Sequence, residues 1–392
     1  MAQYDPTKID YVLNISGDYS NTLDIEGFSL MMKNPSYCYK FYWLEALVVL
    51  ISEGVTETTF DDVIDEMIAN AWYSVREFHI HLSGFQNGDV RDGVERVVNL
   101  LAELSDLPAN ASKTEIKNAI KTYNKDLETY KKQLTNMVPY RALAGFFSRS
   151  SETPDWESKA RMVEYIQRVN ANTVVLPYTL GKSNQLKKEI LFHPAWIKMI
   201  QDNTVSILGW IQFEKIKWLQ NNNPEVPGLV YKLAPLDEKM RKLSHVRDLW
   251  KAIMEIHPVM DVFAEKEIQV GKYEVDHFVP WSFVMNDELW NLMPMDSSLN
   301  SSKSNRLPKW DPYFERFAGN QYMLYELIHK QDAIHDLYGK CLRDNLHSIW
   351  AGQELYIPGN SKEQFFSVLE KNMRPVYDSA RRQGYEEWLI RN

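Results

Sequence analysis

Apolar positions recur with helical spacing through most of the chain. Phe60, Val63, Ile64, Met67, Ile68, Ala71 and Trp72 make one stripe, the repeat of an amphipathic helix with a buried face. Thr59 is its expected N-cap. Asp61, Asp62, Asp65 and Glu66 fall on the opposite face, where early acids favour a helix start and solvent is expected. Residues 36–51 read as a buried helix, and residues 94–104 as a further helix. Ser112 and Glu115 have capping-box spacing and open a predicted long helix to about residue 136. Lys113, Lys117, Lys121 and Lys125 recur along it every four residues. That stripe fits a solvated face or a surface that follows phosphates. Residues 159–170, 194–220 and 313–346 are also expected to be helical. So are residues 362–373 and a last segment ending near Ile390.

The pattern changes at residues 273–308, YEVDHFVPWSFVMNDELWNLMPMDSSLNSSKSNRLP. Tyr273, Val275 and His277 alternate with Glu274 and Asp276, which predicts a strand limited by Pro280. Asn286 and Asp287 are turn formers. Residues 289–293 read as a second short strand stopped by Pro294. Asp296 or Ser297 can cap a helix on which Asn300, Lys303 and Ser304 share one face. The predicted order is strand, strand, helix. Strand neighbours point to opposite faces, so Asp276 and His277 serve one site only if the strand ends or twists there.

This segment resembles the HNH, or ββα-metal, nuclease motif, and is most similar to the version inside the RNA-guided CRISPR DNA nucleases. The two are placed together without a gap. The middle position is Asn291 rather than a histidine. The resemblance implies that Asp276 and Asn300 bind a metal ion and that His277 is the general base. It also implies that Asn291 organises the site and orients the histidine, and that Lys303 lies near the phosphates, with Ser304 beside it. A carboxylate and an amide oxygen suit Mg²⁺, for which Mn²⁺ can substitute. A neutral histidine can take a proton from water near pH 7. The wider chain is similar to bacterial HNH endonuclease proteins, some linked to anti-phage defence, in NPSYCYKFYW, VPYRALAGFF and NNNPEVPG. The expected architecture is mainly α with an embedded ββα-metal module. Its regions are a helical regulatory or recognition part at 1–230 with a joint near 148–157, the nuclease module at 231–312, and a helical extension at 313–392. DNA is the expected substrate. The competing readings are a ribonuclease, or a DNA-binding or assembly subunit whose helical body is the function.

Charge sharpens this division. The net charge of −9 is unevenly spread: residues 1–110 carry 18 acids against 6 bases. That third is a poor partner for a phosphate backbone; it either keeps the protein soluble or faces a basic surface, as a regulatory protein partner or self-assembly would offer. Just before the motif, Lys239, Arg241 and Lys242 stand in a locally basic stretch and are expected to contact DNA. The chain has two cysteines, Cys38 and Cys341. They cannot build a paired-CxxC zinc site, and a disulfide-stabilised secreted fold is not expected. His79 and His81 alternate with apolar residues like one face of a strand, with no third zinc ligand evident. No signal-peptide pattern opens the chain and no apolar run is long enough to span a bilayer, so the expected compartment is the cytoplasm.

Overall fold

The computed structural model describes residues 13, 15, 18–32, 35, 37–84, 90, 92–136, 138–147, 154–172, 175–233 and 241–390. Lys239 and most of the expected joint at 148–157 lie outside them. The fold is mainly helical and divides into two compact units, Met1–Asn223 and Pro224–Asn392.

The first unit is built on α1 (Tyr39–Ser52), which is apolar almost all round and correspondingly buried. It packs on α2 (Phe60–Phe78), which follows β1 (Glu57–Thr59). The expected stripe of α2 is buried from Phe60 to Phe78, and Thr59 closes a reciprocal capping box with Asp62. α2 then packs on α3 (Gly93–Leu104).

The predicted long helix is two helices, α4 (Lys113–Thr122) and α5 (Asn124–Leu134), broken at Tyr123. The break lets α5 turn a different face inward, carrying Leu127, Lys131 and Leu134. This consumes the acidic face of α2. Lys131 lies 2.5 Å from both Asp61 and Asp65 and is itself fully buried. Glu66 is also fully buried and is paired with both Lys113 and Lys117. Three of the acids expected in solvent are therefore neutralised, Glu66 by half of the lysine stripe and Asp61 and Asp65 by Lys131, while Asp62 closes the Thr59 capping box. Burial pushes the Asp65 carboxyl up to about 6.

The His79–His81 strand is absent. His79 takes a left-handed conformation that caps α2, and His81 Nδ1 lies 2.8 Å from Glu95. After α6 (Lys159–Asn172), strands β2 (Tyr178–Leu180) and β3 (Glu189–Phe192) join β1 in an antiparallel sheet of order β1-β3-β2. The helical region expected at 194–220 is broken at Asn203 into α7 (Pro194–Asp202) and α8 (Thr204–Asn222).

The second unit begins its core with α9 (Ser244–Ile256), whose Val246, Leu249, Trp250 and Ile253 are buried. Two strands follow, β4 (Tyr273–His277) and β5 (Leu292–Asp296), paired antiparallel, then α10 (Ser297–Lys303). The expected second strand at 289–293 is shifted. Leu289–Asn291 is a single 3₁₀ turn, and Pro294 sits inside β5 opposite Val275. A two-stranded sheet leaves each strand one free edge, where the missing N–H of proline costs no ladder bond.

Beyond β6 (Leu307–Pro308) come α11 (Trp310–Lys330), α12 (Asp332–Asn345) and α13 (Lys362–Arg382). α13 continues past the expected end at 373 and accommodates Pro375. The last segment is no helix. It forms β7 (Glu387–Trp388), parallel to β6, so the end of the chain closes on the residues just after α10. Phe278, directly after β4, packs between Trp310, Phe314 and Phe317 of α11.

Candidate active site

Two stapled segments hold β4 and β5 in place. Asp261 is buried, and its Oδ1 accepts from the Phe263 and Ala264 N–H groups while Oδ2 accepts from Asp296 N at 2.9 Å. Asp296 is the N-cap of α10, accepting from Ser298 N and Leu299 N. The Ser298 hydroxyl, then its backbone N–H, hold the Asp296 carboxyl below its ordinary range. Asn291 is fully buried and pairs with both backbone groups of one residue: Oδ1 accepts from Val279 N at 2.8 Å and Nδ2 donates to Val279 O at 2.9 Å. It fixes the backbone two residues beyond His277 and does not touch the ring through a hydrogen bond.

The alternation of β4 separates its two chemical residues. Asp276 faces α10, where Lys303 Nζ donates to its Oδ2 at 2.8 Å. Lys303 is fully buried, so this ion pair is shielded. Asn300 lies one turn earlier on α10, and its side-chain amide makes no hydrogen bond among the described residues. Ser304 is already past the helix, with a φ of 49°, and so leaves the face shared by Asn300 and Lys303.

His277, the last residue of β4, is fully buried and turned toward the loop before β5. Its Nε2 lies 3.1 Å from the Asn286 carbonyl and 3.0 Å from Asp287 Oδ1. Nδ1 is buried and has no hydrogen-bond partner among the described residues. No hydrogen bond or ion pair among the described residues joins Asp276 to His277.

Asp287 is the residue that sequence reasoning treated only as a turn former. Lys242 N donates to its Oδ2 at 3.2 Å, and Arg241 Nε lies 3.7 Å from Oδ1. Asn345 Nδ2 donates to both the Lys242 and Asp287 carbonyls. Burial pushes the Asp287 carboxyl up, but the His277 ring, the Arg241 guanidinium and the Lys242 N–H outweigh it and hold it below its ordinary range. Arg241 also lies over the Trp281 ring at 5.3 Å, and Lys242 Nζ lies 3.4 Å from Asp344. The described part of the expected DNA-contact stretch is thus engaged within its own unit.

The oxygen donors present fit a hard cation. No group of three His, Cys, Asp or Glu side chains able to hold a metal occurs among the described residues, and both cysteines are buried and free. One carboxylate and one uncommitted amide oxygen, with water completing the shell, match what Mg²⁺ takes from a protein.

Residues 261–309 match the family model described as HNH endonuclease. The chain carries an HNH-family domain. The matched span starts at the stapling Asp261 and ends just after β6, and it contains every residue of both strands and α10. No curated protein and no solved structure matches the chain. HNH nucleases generally use divalent metal ions and act on nucleic acid, and the domain supports a nuclease at family level. No helix among the described residues is long and apolar enough to cross a membrane.

Proposed function

We propose that the second unit is a Mg²⁺-dependent endonuclease that hydrolyses DNA phosphodiester bonds, with β4, β5 and α10 as its ββα-metal module. The observation that carries this reading is the docking of α10 on β4 through Lys303 and Asp276 within the span matched to the HNH family. Asp276 and Asn300 would hold the metal, which when bound polarises the phosphoryl oxygen and stabilises the leaving oxygen. His277 holds its proton on Nε2, against the Asn286 carbonyl, which leaves the Nδ1 lone pair to accept a proton from the attacking water. Lys303 would meet the phosphate once Asp276 has another partner.

The same geometry supports a restrained enzyme. His277 is sealed from solvent and Asp276 is occupied by Lys303, so the chain alone is expected to cleave weakly, and full cleavage needs a rearrangement that opens one and releases the other. A trigger that binds the open arrangement better would supply it. We assign the helical first unit to that control, through a protein partner or self-assembly, and extend the reading to a bacterial defence effector. The test is cleavage of supercoiled plasmid and of RNA by the purified full chain with Mg²⁺ or Mn²⁺, beside His277→Ala. DNA cleavage that needs metal is expected, falling by roughly 10²–10⁴ in the variant, the usual size of general-base assistance. Equal cleavage by both proteins removes His277 from the reaction, and cleavage of RNA alone replaces the DNA reading.

A further inference from the structure

His277 is held by more than the backbone. Its Nε2–H has the Asn286 carbonyl as its aligned acceptor. Asp287 Oδ1, 3.0 Å from the same nitrogen, is buried and has no aligned donor among the described residues. Its contact with the ring is therefore one of charge with the N–H dipole. A carboxylate at that point makes a proton on Nε2 favourable and a lone pair there unfavourable, which fixes the tautomer with Nδ1 as the acceptor. It also places a negative charge where positive charge appears when Nδ1 takes a proton from water.

The carboxylate is in turn held by two groups directly and by a third through the backbone. Lys242 N donates to Oδ2, the Arg241 guanidinium stands beside Oδ1, and Asn345 bridges the carbonyls of Lys242 and Asp287. Asn345 is fully buried and ties the two backbone segments together, while the Arg241 side chain beside the carboxylate stays partly exposed. A carboxylate that meets a histidine nitrogen at 3.0 Å, held by Lys242 N and Arg241 and by a backbone that Asn345 pins, is placed to position that histidine.

We infer that Asp287 is the positioning residue of His277, acting with the Asn286 carbonyl to present Nδ1 as the base. Arg241, Lys242 and Asn345 support it. The inference rests on the reading of His277 as the general base.

The experiment compares wild type with Asp287→Asn and Asp287→Ala as full-length chains. Asp287→Asn keeps the size of the side chain, so a folded variant is secured even if alanine opens a destabilising gap. The first readout is independent of cleavage: ¹⁵N-labelled histidine NMR of the metal-free protein, with the His277 signals among the nine histidines assigned by His277→Ala. Wild type is expected to show a protected Nε2–H and an unprotonated Nδ1. Both variants are expected to lose that protection and populate the other tautomer.

The second readout is single-turnover cleavage at saturating DNA, with DNA affinity measured in Ca²⁺. The cleavage rate is expected to fall about 10- to 100-fold, the size typical for partners that orient a working histidine, while DNA affinity holds. An unchanged ring in both variants overturns the inference whatever happens to cleavage. A changed ring with undiminished cleavage overturns the link to the reaction. A wild type that shows the protected Nε2–H but cleaves nothing refutes the nuclease reading and leaves the positioning of the ring standing.

Discussion

Lys303 Nζ lies 2.8 Å from Asp276 Oδ2, and the lysine is completely buried behind that contact. Asp276 is thus balanced by an ammonium in a place where little water screens the pair. A divalent cation at Asp276 has to compete with it. Lys303→Met keeps the length of the side chain and removes the competitor. Mn²⁺ affinity, measured by electron paramagnetic resonance on the protein without DNA, is expected to rise about tenfold, because a charge-assisted contact is worth roughly 1.5–3 kcal/mol. Cleavage is expected to fall, since the phosphate loses its cation. An affinity that is unchanged or weaker in the variant would show that Lys303 and the metal do not share Asp276.

Lys232 carries a pH dependence of unusual sign. It is buried, its Nζ donates to the Phe283 carbonyl at 2.6 Å, and burial lowers its pKa to about 7. The unfolded chain holds this proton up to about pH 10.5, while the folded chain gives it up near 7. Between those values the unfolded state binds more protons, so stability rises with pH. The slope approaches about 1.4 kcal/mol per pH unit for one proton. Urea unfolding followed from pH 7 to 10 is expected to show this rise in wild type and its loss in Lys232→Met. Parallel pH profiles for the two proteins would contradict it.

The buried charges of the first unit make a prediction about stability rather than binding. Lys131 has no exposed surface and depends on Asp61 and Asp65. Replacing both acids with asparagine leaves a buried cation whose remaining partner is the Asn124 side chain. The cost is expected to be about 3–5 kcal/mol, read as a fall in the melting temperature. Adding Lys131→Met to the double variant is expected to recover most of it. A double variant as stable as wild type would mean that Lys131 reaches water.

What the sequence made legible was periodic or local. The stripe of α2, its Thr59 cap, the strand at Tyr273–His277 and the Asp296 cap follow from spacing and from residues within a turn of each other. Register was less accessible, because Pro294 was read as a stop when a free sheet edge tolerates it. The pairing of charges was hidden altogether. Glu66 meets Lys113 and Lys117, and Asp287 meets Lys242, across tens of residues that no periodicity links. An acidic helix face looks solvated until a basic helix is laid on it. Asp287 offered only the signal of a turn former beside an asparagine, although a carboxylate so close to a base in sequence could have been asked for its partner.

The basic stretch before the motif now admits a sharper expectation. Arg241 and Lys242 are expected in the sequence to neutralise phosphates, and each phosphate contact on duplex DNA contributes about 0.9 to the slope of log affinity against log salt. In the structure, Arg241 stands between Asp287 and the Trp281 ring. Lys242 gives its backbone N–H to Asp287 and its ammonium to Asp344. A guanidinium spent on a carboxylate is a poor counterion for DNA, whereas the half-exposed ammonium of Lys242 can exchange one partner for the other. Arg241→Ala is therefore expected to leave the salt slope unchanged and to slow cleavage, because it loosens Asp287. Lys242→Ala keeps the backbone N–H and is expected to lower the slope by about one contact at most, with little effect on the cleavage rate. The measurement is DNA affinity across a salt series in Ca²⁺, paired with single-turnover rates. A lowered slope in Arg241→Ala with an unaltered rate would return that residue to the DNA surface and detach it from the histidine.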